Sequence, residues 1–64
     1  MKLYRVGTFW HPELGRNGQA MAYTRWYNSE WDGCIEMSIA AKNGAAAKKE
    51  AIKRRTEMER ENAD

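Results

Sequence analysis

Residues 2–10 read KLYRVGTFW, and the fold turns on which side of this stretch is buried. Its aromatic and β-branched residues make it a strand. Side chains alternate along a strand, so Tyr4, Val6, Thr8 and Trp10 share one face, and Leu3, Arg5, Gly7 and Phe9 the other. Both faces carry apolar groups. Either the strand is central in its sheet, or one face is used for binding.

Residues 11–19, HPELGRNGQ, follow. Pro12 cannot donate to a ladder, and Asn17-Gly18 is a hairpin signal, so a long or irregular hairpin connection is expected. Residues 20–27, AMAYTRWY, return as a second strand, with Met21, Tyr23, Arg25 and Tyr27 on one face and Ala22, Thr24 and Trp26 on the other. NSEWDG, residues 28–33, is a turn ending in Asp32-Gly33. Residues 34–41, CIEMSIAA, alternate Ile35, Met37 and Ile39 with Cys34, Glu36, Ser38 and Ala40. That is the pattern of an antiparallel strand with one wet face.

From Asn43 the composition changes to strong helix formers, without aromatics or proline. Asn43 is a suitable N-cap for a helix over about 44–60. Ala47, Ala51, Ile52 and Met58 form a narrow apolar stripe, and Glu50 and Arg54 stand at the favourable i,i+4 spacing. ENAD at the end is expected to fray. The expected fold class is therefore α+β: a three-stranded antiparallel β-meander (about 2–10, 20–27 and 34–41) with one C-terminal α-helix on one face, in a single domain.

The chain has 64 residues, and a domain of that size buries only about 60% of its unfolded surface. Such scaffolds usually lean on a disulfide, a metal or a partner. Cys34 is the one cysteine, so no internal disulfide exists and a reducing compartment is expected. His11 is the one histidine, with no cysteine near it at ligand spacing, so no metal and no cofactor are expected. Association remains as the source of extra stability. Net charge is +2, from 11 basic and 9 acidic side chains, which is less lopsided than in most dedicated nucleic-acid binders. No apolar run is long enough to span a membrane, and MKLYRVGTFW has no signal-peptide apolar region, so a complete cytoplasmic protein is expected.

Nothing in the spacing places His11 beside Cys34 or a serine as a nucleophile–base pair, and the glycines do not form a phosphate loop. An enzyme is not expected. The sharper signal is aromatic: Tyr23, Trp26, Tyr27 and Trp31 fall within nine residues. One helix cannot cover both faces of a sheet. If Tyr23 and Tyr27 join Ile35, Met37 and Ile39 beneath the helix, Trp26 projects from the open face with Thr24 and Ala22. It then either packs on Trp10 across the sheet or grips a partner. Trp, Tyr and Arg are the residue types enriched at binding hot spots. The candidate partner-binding residues are Arg25, Trp26, Tyr27 and Trp31, with the helix cations Lys49, Lys53 and Arg54 as a second patch. The basic residues Lys48, Lys49, Lys53, Arg54 and Arg55 cover an arc away from the apolar stripe. They are either a solvated face or phosphate contacts.

Three strands followed by a helix opening on Lys48-Lys49-Glu50-Ala51 resemble two nucleic-acid modules. One is the sheet-reading DNA-binding domain of some tyrosine recombinases, whose Gly-Phe-x-Thr lead-in is missing here. The other is the C-terminal half of double-stranded-RNA-binding domains, whose preceding helix and Gly-x-Gly segment are absent. In size, compactness and lack of an enzyme motif, the chain is also similar to small phage-encoded accessory proteins of the anti-CRISPR type. That resemblance implies steric occlusion of a host protein or ribonucleoprotein complex, in the host cytoplasm. The alternatives are a small DNA- or RNA-binding regulator using the sheet face and basic helix, and a homodimer whose open face is its own interface.

Overall fold

The computed structural model describes residues 1–16 and 18–62. Three strands, β1 (Lys2–His11), β2 (Gln19–Tyr23) and β3 (Ile35–Ala41), form one antiparallel sheet, and one helix, α1 (Gly44–Glu61), follows. The α+β class and the C-terminal helix match the sequence expectation. The strand order does not match a meander, because β1 lies in the middle, giving β2-β1-β3. The reason is length as well as hydrophobicity. β1 has ten residues and β2 only five. With β1 central, its first part pairs with β3 (Lys2↔Ala41 to Thr8↔Ile35) and its last part with β2 (Gly7↔Tyr23 to His11↔Gln19). A central β2 would leave half of β1 without a ladder. Of the two uses open to a strand apolar on both sides, the central position is the one taken.

This order forces the connection from β2 to β3 to cross β1. The second strand accordingly stops at Tyr23 rather than at residue 27, and Thr24–Cys34 become the crossing loop. The loop is held by its own turns. Asn28 Oδ1 accepts from the Glu30 N–H (2.9 Å), and the Trp31 N–H reaches Asn28 O (3.0 Å). The Cys34 N–H closes on Trp31 O (3.1 Å) across Asp32-Gly33, with Gly33 at φ +81° as the third position of a type II turn requires. In the β1–β2 connection, the Leu14 N–H bonds His11 O (3.2 Å); Asn17 lies outside the described residues.

Val6, Thr8, Ile39, Ala20 and Ala41 are buried beneath α1, with Tyr4, Ala22 and Met37 packed beside them. The expected placement of the tyrosines is reversed. Tyr23 pairs with Gly7 and so lies on the face away from the helix, whereas Ala22 pairs with Thr8 beneath it. The small Ala20 and Ala22 let α1, through the fully buried Ala47 and Ala51, come close to β2. Tyrosines there would hold the helix off. Nor does Trp10 meet Trp26. It lies on the helix-facing side against Gly18, where a Cβ would come within 2.9 Å of Trp10 Cε2.

The helix begins as expected, with Asn43 Oδ1 accepting from the Ala46 N–H (2.8 Å). Glu50 and Arg54 form the i,i+4 pair at 3.3 Å. The apolar stripe is corrected beyond Ala51. Ile52 and Met58 are each 37% exposed, and the third inward residue is Arg55, only 5% exposed. It belongs to the basic run assigned to the outer arc, yet it continues the four-residue step of Ala47 and Ala51. Arg55 Nη1 donates to Thr8 O (2.8 Å) and Thr8 Oγ1 (3.1 Å). Nη1 and Nη2 both reach Gly33 O at 3.3 Å, and Nε bonds Glu59 Oε1 (2.7 Å). The Thr8 hydroxyl donates in turn to Ile35 O (2.8 Å). One guanidinium thus ties α1 to β1 and to the end of the crossing loop, with its charge neutralised by Glu59. α1 ends at Glu61 with Asn62 as its C-cap; Ala63 and Asp64 lie outside the described residues. Among the described residues, no helix is long and apolar enough to cross a membrane.

Candidate binding surface on the crossing loop

The second face of the sheet is covered by the loop, and Gly7 makes that possible. It is a buried strand glycine, and a Cβ built on it would overlap the Tyr27 ring, 2.6 Å from Cγ and 2.8 Å from Cε2. Glycine inside a strand marks such close approaches. Tyr27 therefore packs directly on the β1 backbone at Gly7. Phe9 meets Tyr23 edge-on (centroids 6.0 Å apart, 71° between planes) and Trp31 at a tilt (6.4 Å, 44°). These contacts make a thin aromatic layer opposite the helix.

A polar clamp fixes its edge. Glu36 of β3 stands opposite Gly7. Arg5 donates to Glu36 Oε1 through Nη2 (2.7 Å) and Nε (3.1 Å), and the Tyr27 hydroxyl donates to Oε2 (3.1 Å). Both carboxylate oxygens are thus engaged. Hydrogen bonding from Arg5, with a smaller contribution from Tyr27, holds the Glu36 carboxyl below the usual glutamate range. Burial first, and the bond to Glu36 second, push the Tyr27 phenol above its ordinary value.

Trp26, next to the pinned Tyr27, does the opposite. It is 93% exposed and adopts φ +61°, the left-handed region that costs a residue with a Cβ about 1–2 kcal/mol. Trp26 and Tyr27 together form a ridge between two depressions. The larger, about 810 Å³ and wide open, is lined by Leu3, Arg5, Arg25, Asn28 and Glu36 among others. The smaller, about 270 Å³, is lined by Phe9, His11, Tyr23 and Trp31.

Arg25, Trp26, Tyr27 and Trp31 are brought together on this loop. Lys49, Lys53 and Arg54 are exposed on α1, across the sheet from it, and do not join them. Leu3, 70% exposed, and the Arg5–Glu36 pair belong to the surface but were not singled out from the sequence. Gly7 in mid-strand was the signal for a side chain lying across β1. The sequence matches no family model, and neither curated proteins nor solved structures give a match.

Proposed function

We propose that this chain is a non-catalytic binding protein that acts by occlusion, gripping a partner with the Trp26 ridge. The observation that carries this is the contrast within the loop. Tyr27 is clamped by Gly7, Arg5 and Glu36, while its neighbour Trp26 stands in solvent in a strained conformation. Backbone strain that survives because its surroundings are rigid gathers at functional positions. An indole at an ordered site loses little conformational freedom on binding, and flanking Arg25 and Leu3 supply a polar and an apolar neighbour.

The partner class we favour is a host complex that processes nucleic acid or serves in defence, blocked in the manner of the anti-CRISPR proteins that the chain resembles in size and motif content. The test is capture of a partner from a host lysate, with and without nuclease treatment, on wild-type protein and on the Trp26→Gly variant. A protein partner kept by the wild type and lost by the variant supports occlusion through the ridge. Capture of nucleic acid alone, lost in moderate salt, would replace it with the regulator using the helix cations. Association of the chain with itself through the ridge would replace it with the homodimer.

A further inference from the structure

β2 is an edge of the sheet, and its five residues, QAMAY, include no charge, proline or glycine. Exposed edges are normally blunted by such residues, because alternate residues present N–H and C=O groups without partners. Beside this edge runs a groove of about 440 Å³. Ala20 and Ala22 line its sheet side, and Lys48, Ile52, Thr56 and Arg60 line its helix side.

These four helix residues are spaced by four and form a single row, about 18 Å from first to last at ~1.5 Å per residue. β2 spans about 14 Å from first to last at ~3.4 Å per residue, so the helix row runs the whole length of the strand and a little beyond it. α1 starts beside Tyr4 and Thr24 and reaches Thr8 at Arg55, so it runs antiparallel to β2. Lys48 thus stands toward the Tyr23 end of the groove and Arg60 toward the Gln19 end. Between them are Ile52, and Thr56, whose hydroxyl proton goes to Ile52 O (2.8 Å).

Among the described residues, the charges lining this groove are all positive. The groove beside the β3 edge differs, since Arg54 there stands with Glu57 and Glu61. We propose that the β2 edge binds an extended acidic segment of a partner protein as a fourth strand. The added backbone completes the open ladder. On the side facing α1, an apolar residue lies between Ile52 and Thr56, the middle of the row, and acidic residues two positions away on either side come within reach of the long Lys48 and Arg60 side chains. This surface is separate from the Trp26 ridge.

The test is a titration of isotope-labelled protein with the peptide Thr-Glu-Thr-Leu-Thr-Glu-Thr, followed by amide and methyl NMR. Shifts and slowed amide exchange are expected in Gln19–Tyr23 and at the Ile52 methyls. Reversing the two exposed cations together (Lys48→Glu, Arg60→Glu) should weaken binding roughly tenfold without altering the fold. N-methylation of alternate peptide amides should abolish binding in one phase only. Three results would overturn the proposal: no binding at millimolar peptide, equal affinity for the peptide with lysine in place of glutamate, or shifts centred outside β2. Self-association of the free protein through β2, seen by sedimentation, would also overturn it, since the occupant would then be a second copy.

Discussion

Gly7, Trp26 and Arg55 are the single residues on which the account depends, and each has its own test. Gly7→Ala puts a Cβ into the Tyr27 ring, which cannot retreat without leaving Glu36. A loss of about 1–3 kcal/mol is expected in chemical denaturation. Adding Tyr27→Ala to that variant should cost less than it does in the wild type, because the two residues share one contact. Trp26→Gly removes an exposed indole and relieves a left-handed φ, so stability should hold or rise by up to about 1 kcal/mol while partner capture is lost. Arg55→Met deprives Thr8 O and Gly33 O of their donor and leaves Glu59 unpaired. About 3 kcal/mol should be lost. Arg55→Lys should recover only part of it, because one ammonium cannot fork to these acceptors. Arg55 shows how a sequence misleads at this scale. Its spacing from Ala47 and Ala51 points inward, but its charge and its place in KKEAIKRR point to solvent. Three oxygens at the end of the sheet decide the matter.

The crossing loop is the element in which structure and proposed function meet, and its seating responds to pH through the Arg5–Glu36–Tyr27 clamp. The Glu36 carboxyl is depressed in the folded state, so its contribution is fully present above the ordinary glutamate value of about 4.3 and is lost as pH falls through the folded value. The Tyr27 phenol is raised, so its contribution is full below about 10 and is lost as pH climbs through the folded value. Stability should therefore plateau across neutral pH and fall on both sides. Glu36→Gln should flatten the acid limb, as thermal melts against pH would show. The strands and the helix were legible because alternation and helix-former composition are local patterns. The path of the loop was not. Four aromatics in nine residues read equally as a strand face or as a covering layer, and the choice depends on which strand is central.

At the scale of the whole molecule, the main core is small. Val6 and Ile39 are the largest apolar side chains fully buried in it, and alanines make up much of the rest. The aromatic layer gives the sheet a second, thinner cover, which is how 64 residues use both faces of one sheet. Such a protein stands close to its stability threshold, and a partner that binds only the folded state at a hundred times Kd should add about 2.7 kcal/mol. A rise in Tm that follows partner concentration would show this. Strand order was open to sequence reading in part. A first strand apolar on both sides left a central position open, but residues 20–27, read as a full second strand, gave a meander, and only the five-residue β2 of the structure excludes it.

The central claim is that the loop is divided, with Tyr27 and Trp31 laid on the sheet and Trp26 held away from it. A NOESY spectrum of the free protein tests this most directly. It should show contacts from the Gly7 α-protons to the Tyr27 ring and from the Phe9 ring to Trp31, with none from the Trp26 indole to the sheet. Contacts from the Trp26 indole to Gly7 or Phe9, with a freely rotating Tyr27 ring that shows none, would contradict it.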